Sequence, residues 1–202
     1  DLHSFPTRRS SDLPTAEARL DESVLVIGLG LLGLLTIQIA KAAGCVTLGI
    51  DISEARIALG KELGADACHN EAVKAKAAEL VGARGFDHVL ICAGSKENDL
   101  IALAGELCRD RGTVVSIGAV GLNIPRKIYY EKEIRFTVSR SYGPGRYDAA
   151  YEEKGQDYPI GYVRWTEGRN MESFVSLLAR GAVRTDPRSE EHTSELQSHQ
   201  PI

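Results

Sequence analysis

The chain has 202 residues, of which 43% are hydrophobic and 26% are charged, and this balance fits one globular α/β domain with a sizeable core. The same composition excludes a disordered chain and a coiled coil. The formal net charge of -4 provides no basic stripe for a phosphate backbone, so we expect no nucleic-acid partner.

The two ends of the chain differ in character from its middle. The opening HSFPTRRSSDL and the closing RSEEHTSELQSH resemble translated sequencing-adapter oligonucleotides. We therefore expect residues 1–13 and 188–202 to be artefactual or disordered tails, with natural disordered tails as the alternative. The predicted domain then covers residues 14–187 and forms part of a longer protein.

The first predicted elements come from a long apolar run over residues 24–40. A membrane span is the alternative, but the run is short for a hydrocarbon core of about 30 Å and is interrupted by three glycines. The β-branched first part predicts a buried strand over residues 23–27. The second part is rich in Leu, Ala and Gln, which predicts a helix over residues 31–43. We therefore expect no membrane association.

Strands and helices continue to alternate as far as residue 139. Apolar segments predict strands over residues 46–50, 66–69, 86–92, 112–118 and 133–139. Helical spacing and caps predict helices over residues 54–63, 71–81 and 96–109. Such alternation produces a parallel sheet with helices on both faces, because crossover connections are right-handed. The predicted fold class is α/β, with a doubly wound parallel sheet of about six strands.

Residues 142–165 form the least generic segment of the chain. Five of the 7 tyrosines and the only tryptophan lie in this stretch, which is punctuated by Gly and Pro. Three roles stay open for it: a substrate lid, a subunit contact, or a small core of its own. A final helix is predicted over residues 167–180, with Thr166 as its cap and Gly181 just past its end. The helical spacing places three apolar side chains on one face, namely Phe174, Leu177 and Leu178.

A glycine motif lies between the first predicted strand and helix. Gly28, Gly30 and Gly33 match G-x-G-x-x-G, with an acidic residue 18 positions beyond the last glycine. The first glycine suits a tight turn, the second lets a diphosphate approach the backbone, and the third lets the helix pack on the strand. The amides of Leu31 and Leu32 then face the diphosphate at the positive end of the helix dipole. The motif predicts a dinucleotide site of the Rossmann type, with a ligand-free glycine turn as the alternative.

The acidic residue is Asp51, at the end of the second predicted strand. A carboxylate there accepts both hydroxyls of the adenosine ribose and repels a 2′-phosphate, which favours NAD over NADP. A plain helix cap is the alternative for this residue. Arg56 has three open roles: stacking on the adenine, neutralising a phosphate, or remaining a solvated helix charge.

Small residues occupy the ends of the fourth and fifth predicted strands. Ligands of such sheets lie at the carboxyl ends of the strands, where small residues let a nicotinamide or a ribose approach the backbone. Turn chemistry alone also selects glycine at such ends, so both interpretations stay open. The residues concerned are Cys92, Ala93, Gly94, Ile117, Gly118 and Ala119.

The remaining residues with chemical potential do not form a catalytic pattern. His69 and His88 lie in or beside predicted strands, where satisfied core histidines are more common than acids, bases or ligands. No Ser/His/Asp set, HExxH motif or carboxylate pair occurs, so we assign no catalytic and no metal-ligating residue. The four cysteines are too widely spaced for a zinc knuckle, and we expect buried, reduced thiols in a cytoplasmic protein: Cys45, Cys68, Cys92 and Cys108.

Four segments together resemble a known family. VLVIGLGLLGLLTIQIAKAAG, GIDISEARIALGKELGAD, GFDHVLICAG and RGTVVSIGAVG are similar to the cofactor domain of the medium-chain, zinc-type alcohol dehydrogenases, and the resemblance covers nearly all of residues 14–140. It implies an NAD(P)-dependent oxidoreductase with a small-molecule substrate and a homo-oligomer when full length. It also implies a set of NAD contacts, namely Gly28, Gly30, Leu31, Leu32, Gly33, Asp51 and Arg56, with residues 92–94 and 117–119 near the ribose and nicotinamide.

Full-length members of that family carry a GroES-like domain that supplies the ligands of a catalytic zinc, together with a four-cysteine structural zinc lobe. Neither is recognisable in this sequence, so the resemblance implies zinc only in a missing domain, and we expect this part alone to be inactive. The stretch SRSYGPGRYDAAYEEKGQDYPIGYVRWTEGRNM resembles a bacterial subgroup of the family. Members of that subgroup are sometimes fused to a second oxidoreductase domain and are linked with polysaccharide biosynthesis.

The resulting hypothesis is a dehydrogenase that moves a hydride between a polyol- or sugar-like alcohol and a nicotinamide bound to this domain. In the missing domain, zinc would polarise the substrate oxygen. Two alternatives stay open. One is a zinc-free relative similar to quinone reductases. The other is a dinucleotide-sensing module whose tyrosine-rich segment contacts a protein partner.

Overall fold

The computed structural model of the chain describes residues 12–95, 98–140 and 142–185. The first helix, α1 (Asp12–Ala16), therefore includes two residues of the predicted amino-terminal tail. The rest of that tail and the whole predicted tail 188–202 lie outside the described residues. So does Lys96, where the fourth predicted helix was expected to begin.

Within the described residues, six strands form one sheet: β1 (Ser23–Ile27), β2 (Val46–Asp51), β3 (Asp66–His69), β4 (Phe86–Ile91), β5 (Cys108–Ser116) and β6 (Arg135–Val138). All neighbouring strands are parallel, in the order β3-β2-β1-β4-β5-β6. The predicted doubly wound parallel sheet is confirmed. The order reverses between β1 and β4, and in such sheets this reversal opens a crevice at the carboxyl ends of the strands.

Helices follow the strands and cover both faces of the sheet: α2 (Leu31–Ala42), α3 (Glu54–Glu62), α4 (Val73–Val81), α5 (Asp99–Leu107), α6 (Arg126–Glu131), α7 (Ala149–Glu152) and α8 (Glu167–Ala179). Side chains alternate along each strand, so two apolar cores result. Val24 and Val26 of β1 face the core formed with α2, α3 and α8. Leu25 and Ile27 face the core formed with α4 and α5.

The local sequence explains where the helices begin. Ser53 and Thr166 cap α3 and α8 as predicted, because their hydroxyls accept hydrogen bonds from the amides of Arg56 and Arg169. The apolar run over residues 24–40 consists of β1 and most of α2 rather than a single long helix. None of the helices that the structure describes has both the length and the apolar character needed to cross a membrane.

The start of β5 was predicted wrongly. The strand begins at Cys108 instead of residue 112, because Cys108 pairs with Phe86 before the register shifts between Phe86 and His88. The charged residues 109–111 suggested the end of a helix. They instead form a bulged part of the strand, where Arg111 has a left-handed φ of 57°.

Other expectations also need correction. Leu178 is 36% exposed, because the buried face of α8 passes through Asn170, Phe174 and Leu177 and leaves Leu178 at its margin. All four cysteines are free, as expected, but only Cys45 and Cys108 are buried while Cys68 and Cys92 are partly exposed.

The two histidines also differ from each other. His69 caps a 3-10 turn, where its Nδ1 accepts a hydrogen bond from the amide of Glu71 at 3.3 Å, and it is not a core residue. His88 is buried, and its Nε2 lies 2.8 Å from a carboxylate oxygen of Glu22. Its Nδ1 has no hydrogen-bond partner within the described part of the chain, so only one of its two nitrogens is satisfied.

The tyrosine-rich segment, residues 142–165, is held mainly by polar contacts with α8. Arg169 of α8 donates hydrogen bonds to the carbonyl oxygens of Val163 and Tyr158, at 2.5 and 2.8 Å, and to the carboxylate of Asp157 at 2.5 Å. The rings of Tyr151 and Tyr158 stack with their centroids 5.7 Å apart. These contacts attach the segment to the amino-terminal half of α8.

A polar cluster ties together the amino ends of β1, β4 and β5. The carboxylate of Asp87 accepts hydrogen bonds from the amide and the hydroxyl of Ser23, at 2.8 and 2.7 Å, and pairs with Nε of Arg109 at 2.6 Å. Burial alone would raise the pKa of Asp87, but the bonds from Ser23 and the Arg109 guanidinium outweigh it and lower the pKa to about 2. The cluster lies at the edge of the sheet opposite the crevice.

Candidate cofactor site

The glycine turn connects β1 to α2 at the carboxyl edge of the sheet. Gly28 has a left-handed φ of 93°, and a Cβ there would lie 2.7 Å from the backbone nitrogen of Ala93. At Gly33, a Cβ would lie 1.8 Å from the carbonyl oxygen of Gly28, so only glycine lets the helix pack this closely on the turn. Gly30 is different, because a Cβ there would meet nothing within 4 Å. The turn therefore leaves open space above its second glycine.

The amino end of α2 faces this open space. Gly30 is the N-cap residue of α2, and no side chain among the described residues caps the amides of the first turn. The first turn contains no acidic residue. Leu31 and Leu32 are only partly buried. Amides in the first turn of a helix lack partners within the helix, so this end presents N–H donors and the positive end of a dipole to an anion.

Asp51, at the end of β2, lies directly against the glycine turn. One of its carboxylate oxygens, Oδ2, accepts a hydrogen bond of 2.7 Å from the amide of Leu29, and the other accepts one of 2.9 Å from the amide of Ser53. The side chain is 5% exposed. Since Ser53 is the cap of α3, the alternative role of Asp51 as the cap of that helix is excluded. Each carboxylate oxygen keeps further acceptor capacity for a hydroxyl.

Two neighbours of Asp51 extend the site outward. The Nη1 atom of Arg56 lies 3.9 Å from Oδ2 of Asp51, and its side chain is 41% exposed. Ile52 is 73% exposed although it follows a fully buried run of the strand. An arginine and an exposed apolar side chain beside the carboxylate can contact the two faces or edges of a planar ring.

The end of β4 is held against the glycine turn, and the end of β5 is held against the end of β4. The amides of Cys92 and Ala93 both donate to the carbonyl oxygen of Ile27, at 2.8 and 3.0 Å. At Gly118, a Cβ would lie 2.0 Å from the carbonyl oxygen of Ala93, so close backbone packing alone requires glycine there. Gly94 is more open, with only the carbonyl oxygen of Ala119 at 3.8 Å from its Cβ position.

The structure thus brings the sequence-predicted residues to one edge of the sheet. The glycine turn contacts the carboxylate of Asp51 and the end of β4, and the end of β4 contacts the end of β5. Arg56 lies 3.9 Å from Asp51. Sequence reasoning did not identify Leu29 and Ile52. Leu29 occupies the first variable position of the glycine motif, and Ile52 is an apolar residue directly after the acidic one, so their positions in the pattern were the available signals.

The described residues do not offer a metal centre. They contain no cluster of three or more His, Cys, Asp or Glu side chains that could hold a metal ion. The geometry does fit a dinucleotide, because uncapped amides, an open glycine position and a buried carboxylate lie side by side.

Comparison with known proteins agrees with this geometry. Residues 32–154 match the family described as zinc-binding dehydrogenase. The chain belongs to the zinc-binding dehydrogenase family. Membership places it among oxidoreductases and implies a nicotinamide cofactor.

One curated relative and two solved structures illustrate the relationship. The D-guloside 3-dehydrogenase of Escherichia coli (strain K12) is 29% identical over 178 residues, which cover 85% of this chain and 47% of the relative. An alcohol dehydrogenase from Thermus sp. ATN1 has a TM-score of 0.68 at 20% identity, covering 91% of this chain and 47% of that one. A quinone oxidoreductase of Pseudomonas syringae pv. Tomato has a TM-score of 0.65 at 22% identity, covering 90% and 53%.

At these identities, the structural likeness shows the fold alone. The chain spans about half the length of the curated relatives it matches, as the coverage of D-guloside 3-dehydrogenase illustrates.

Proposed function

We propose that this chain is the NAD-binding part of a zinc-type dehydrogenase that oxidises a polyol- or sugar-like alcohol. The observation that carries the proposal is the position of the Asp51 carboxylate, 2.7 Å from the amide of Leu29 inside the glycine turn. The carboxylate that would accept the ribose hydroxyls is therefore separated from the helix end that would bind the diphosphate only by the glycine turn. The spacing suits the diphosphate and ribose of one dinucleotide.

The residues of the chain have distinct parts in this proposal. The amides of Leu31 and Leu32 bind the diphosphate above Gly30, and Asp51 binds the adenosine ribose. The ends of β4 and β5 support the ribose and nicotinamide, with Gly94 providing the more open approach. A bound nicotinamide supplies the hydride acceptor at its C4. The chain binds and orients the cofactor, and the groups that act on the substrate lie outside the described residues.

The choice of NAD over NADP rests on the charge of Asp51. A carboxylate at the ribose repels a 2′-phosphate, and Arg56 at 3.9 Å offsets this only in part because its side chain is 41% exposed to solvent. The substrate class rests on a different observation. A relative named D-guloside 3-dehydrogenase aligns over 85% of this chain. Its name supports a sugar-like alcohol.

The experiment compares the affinity of NAD for the unmodified 202-residue chain with its affinity for the Gly30→Val variant. Tryptophan fluorescence or calorimetry measures the binding. The valine side chain enters the space proposed for the diphosphate, so we expect NAD affinity to fall on the order of 100-fold. Because a Cβ at Gly30 meets nothing within 4 Å, the melting temperature should stay within about 2 °C of the unmodified chain.

Gly161→Val is the matched control, since a Cβ at Gly161 also meets nothing within 4 Å but the residue lies in the tyrosine-rich segment. We expect it to bind NAD normally. Unchanged NAD affinity in a folded Gly30→Val variant contradicts the proposed site.

A zinc-free reductase is the second candidate, because a quinone oxidoreductase shares the fold with a TM-score of 0.65. The two candidates differ in the behaviour of the whole protein. A zinc-type dehydrogenase loses alcohol oxidation on treatment with a chelator and regains it when zinc is restored. A zinc-free reductase is indifferent to the chelator and reduces quinones.

A further inference from the structure

The carboxyl end of β6 carries an arginine that the cofactor site does not use. We propose that Arg140 binds an anionic group, a phosphate or a carboxylate, on the substrate of this domain, and that it thereby selects acidic sugars or polyols over neutral ones. The inference rests on the proposed function, because it takes the nicotinamide end of the cofactor to lie at the ends of β4 and β5.

The position of Arg140 follows from the pairing of β6 with β5. The amide of Ser139 donates a hydrogen bond of 2.8 Å to the carbonyl oxygen of Ser116, so the chain beyond β6 runs beside the chain beyond β5. Arg140 is the next residue, so continuation of this pairing would bring its backbone beside the segment 117–119. That segment is the one proposed to support the nicotinamide, where the reacting carbon of a substrate must also lie.

Among the described residues, no acidic side chain neutralises the charge of Arg140. Its side chain is exposed, and no carboxylate of the described residues forms an ion pair with it. The acidic groups nearby in sequence have other partners: Glu152 pairs with Arg146, Asp157 with Arg169, and Asp148 with the hydroxyl of Tyr158. An uncompensated guanidinium beside a substrate position is the arrangement that binds phosphate or carboxylate.

The guanidinium of Arg140 lies over the ring of Tyr147. The Cζ atoms of Arg140 and Arg146 lie 4.6 and 4.7 Å from the centroid of that ring. The Nε atom of Arg146 is buried and has no hydrogen-bond partner within the described ranges. Stacking on an aromatic ring restricts the motion of the guanidinium. Its N–H groups point outward in the plane of the guanidinium and stay available to an anion.

The cofactor's own phosphates are too distant to be the ligand of Arg140. The glycine turn follows β1, and β6 is three strands away in the order β1-β4-β5-β6. With neighbouring strands about 4.8 Å apart, the two ends are separated by about 14 Å. The adenosine ribose lies at β2, one strand farther in the opposite direction. We therefore assign the anion to the substrate.

The test compares the neutral six-carbon polyol D-glucitol with two charged counterparts, each of which carries an anionic group at one end of the chain: D-glucitol 6-phosphate at C6 and D-gluconate at C1. Each is titrated calorimetrically into the 202-residue chain with and without saturating NAD. We expect at least one charged compound to bind on the order of ten-fold more tightly than D-glucitol, and the better of the two identifies the anion. Arg140→Gln should abolish the difference.

Arg164→Gln is the matched control. Like Arg140, Arg164 is exposed and stacks on an aromatic ring, with its Cζ atom 4.1 Å from the centroid of the Trp165 ring. Unlike Arg140, it lies just before α8. Its removal should leave the discrimination intact. Equal binding of charged and neutral polyols, discrimination that survives in Arg140→Gln, or an equal loss in both variants overturns the proposal.

Two further measurements keep the outcome decisive. If Arg140→Gln does not fold, the unmodified chain is titrated with the charged polyols, and the NMR resonance of the Arg140 Nε–H is followed. A resonance that does not shift during this titration overturns the inference. The NAD titration is scored separately. A chain that binds NAD but does not discriminate refutes only the role of Arg140, whereas a chain that does not bind NAD refutes the proposed function.

Discussion

Asp51 has a structural task and, in the proposed cofactor site, a binding task as well. Its carboxylate accepts hydrogen bonds from two backbone amides, those of Leu29 and Ser53, and is almost fully buried. The nearest cation is the partly exposed guanidinium of Arg56. In the proposed cofactor site, a 2′-phosphate would face this carboxylate with only one partly exposed cation beside it, and for this reason we expect NAD to bind more tightly than NADP.

Arg56→Ala tests this balance of charges. We expect the unmodified chain to bind NADP on the order of 100-fold more weakly than NAD, and the variant to bind NADP about ten-fold more weakly still, because Asp51 is then uncompensated. NAD affinity should change by less than about three-fold. Fluorescence titration of the unmodified chain and of the variant with NAD and with NADP gives the four dissociation constants. Arg84→Ala, an exposed arginine in the 3-10 turn before β4, is the control. Equal weakening of NAD and NADP would instead support stacking on the adenine.

At the scale of a single element, the end of α5 depends on a distant lysine. The ammonium of Lys132, just after α6, donates hydrogen bonds to the carbonyl oxygens of Gly105, Glu106 and Cys108, at 3.0, 2.8 and 2.7 Å. The last carbonyl groups of a helix lack partners within it, and a cation there also interacts favourably with the helix dipole. Lys132 therefore connects α6 to the junction of α5 and β5.

Replacing Lys132 by methionine keeps most of the apolar stem and removes the three donors. We expect the free energy of unfolding in urea to fall by about 1–3 kcal/mol, because the carbonyl groups lose their partner. Lys127→Met is the control, since Lys127 is exposed within α6. Its unfolding free energy should change by less than about 0.5 kcal/mol. An equal effect of the two substitutions would contradict the proposed role of Lys132.

At the scale of the whole molecule, the two edges of the sheet have different tasks. The carboxyl edge carries the candidate cofactor site, whereas the amino edge is joined by the polar cluster around Asp87. The pKa of Asp87 is lowered to about 2 in the folded chain, from 3.8, because its bonds to Ser23 and Arg109 outweigh burial. A carboxyl whose pKa is lowered on folding contributes stability above its unfolded pKa, and this contribution disappears as the pH falls through the folded pKa.

The unfolding free energy should therefore fall between about pH 4 and pH 2, and Asp87 should account for about 2 kcal/mol of the decrease. In Asp87→Asn, we expect a comparable loss at pH 7 and a shallower decline in acid. Urea unfolding measured from pH 7 to pH 2 tests both expectations. Asp110→Asn is the control because Asp110 is exposed in the bulged part of β5. A decline as steep in Asp87→Asn as in the unmodified chain would contradict the assignment.

The sequence predicted the repeating parts of the fold well and the irregular parts poorly. Alternation, caps and the glycine motif located every strand, because they reflect local geometry and burial. The bulged start of β5 depends on pairing with Phe86 and on the ion pair of Arg109 with Asp87, which are contacts between distant parts of the chain. The same limit applied to the site. Asp51 was identified from its spacing, but its hydrogen bond to Leu29 depends on the three-dimensional turn.

The close contact of Ala93 with both Gly28 and Gly118 has a mechanical consequence. Neither glycine position has room for even one methyl group against Ala93, so the ends of β1, β4 and β5 cannot shift independently of one another. Close backbone packing of this kind favours movement of the crevice floor as one unit. Any opening or closing around a ligand has to take place in the segments that surround this floor, and a bulky substitution at Ala93 would disturb both halves of the crevice at once.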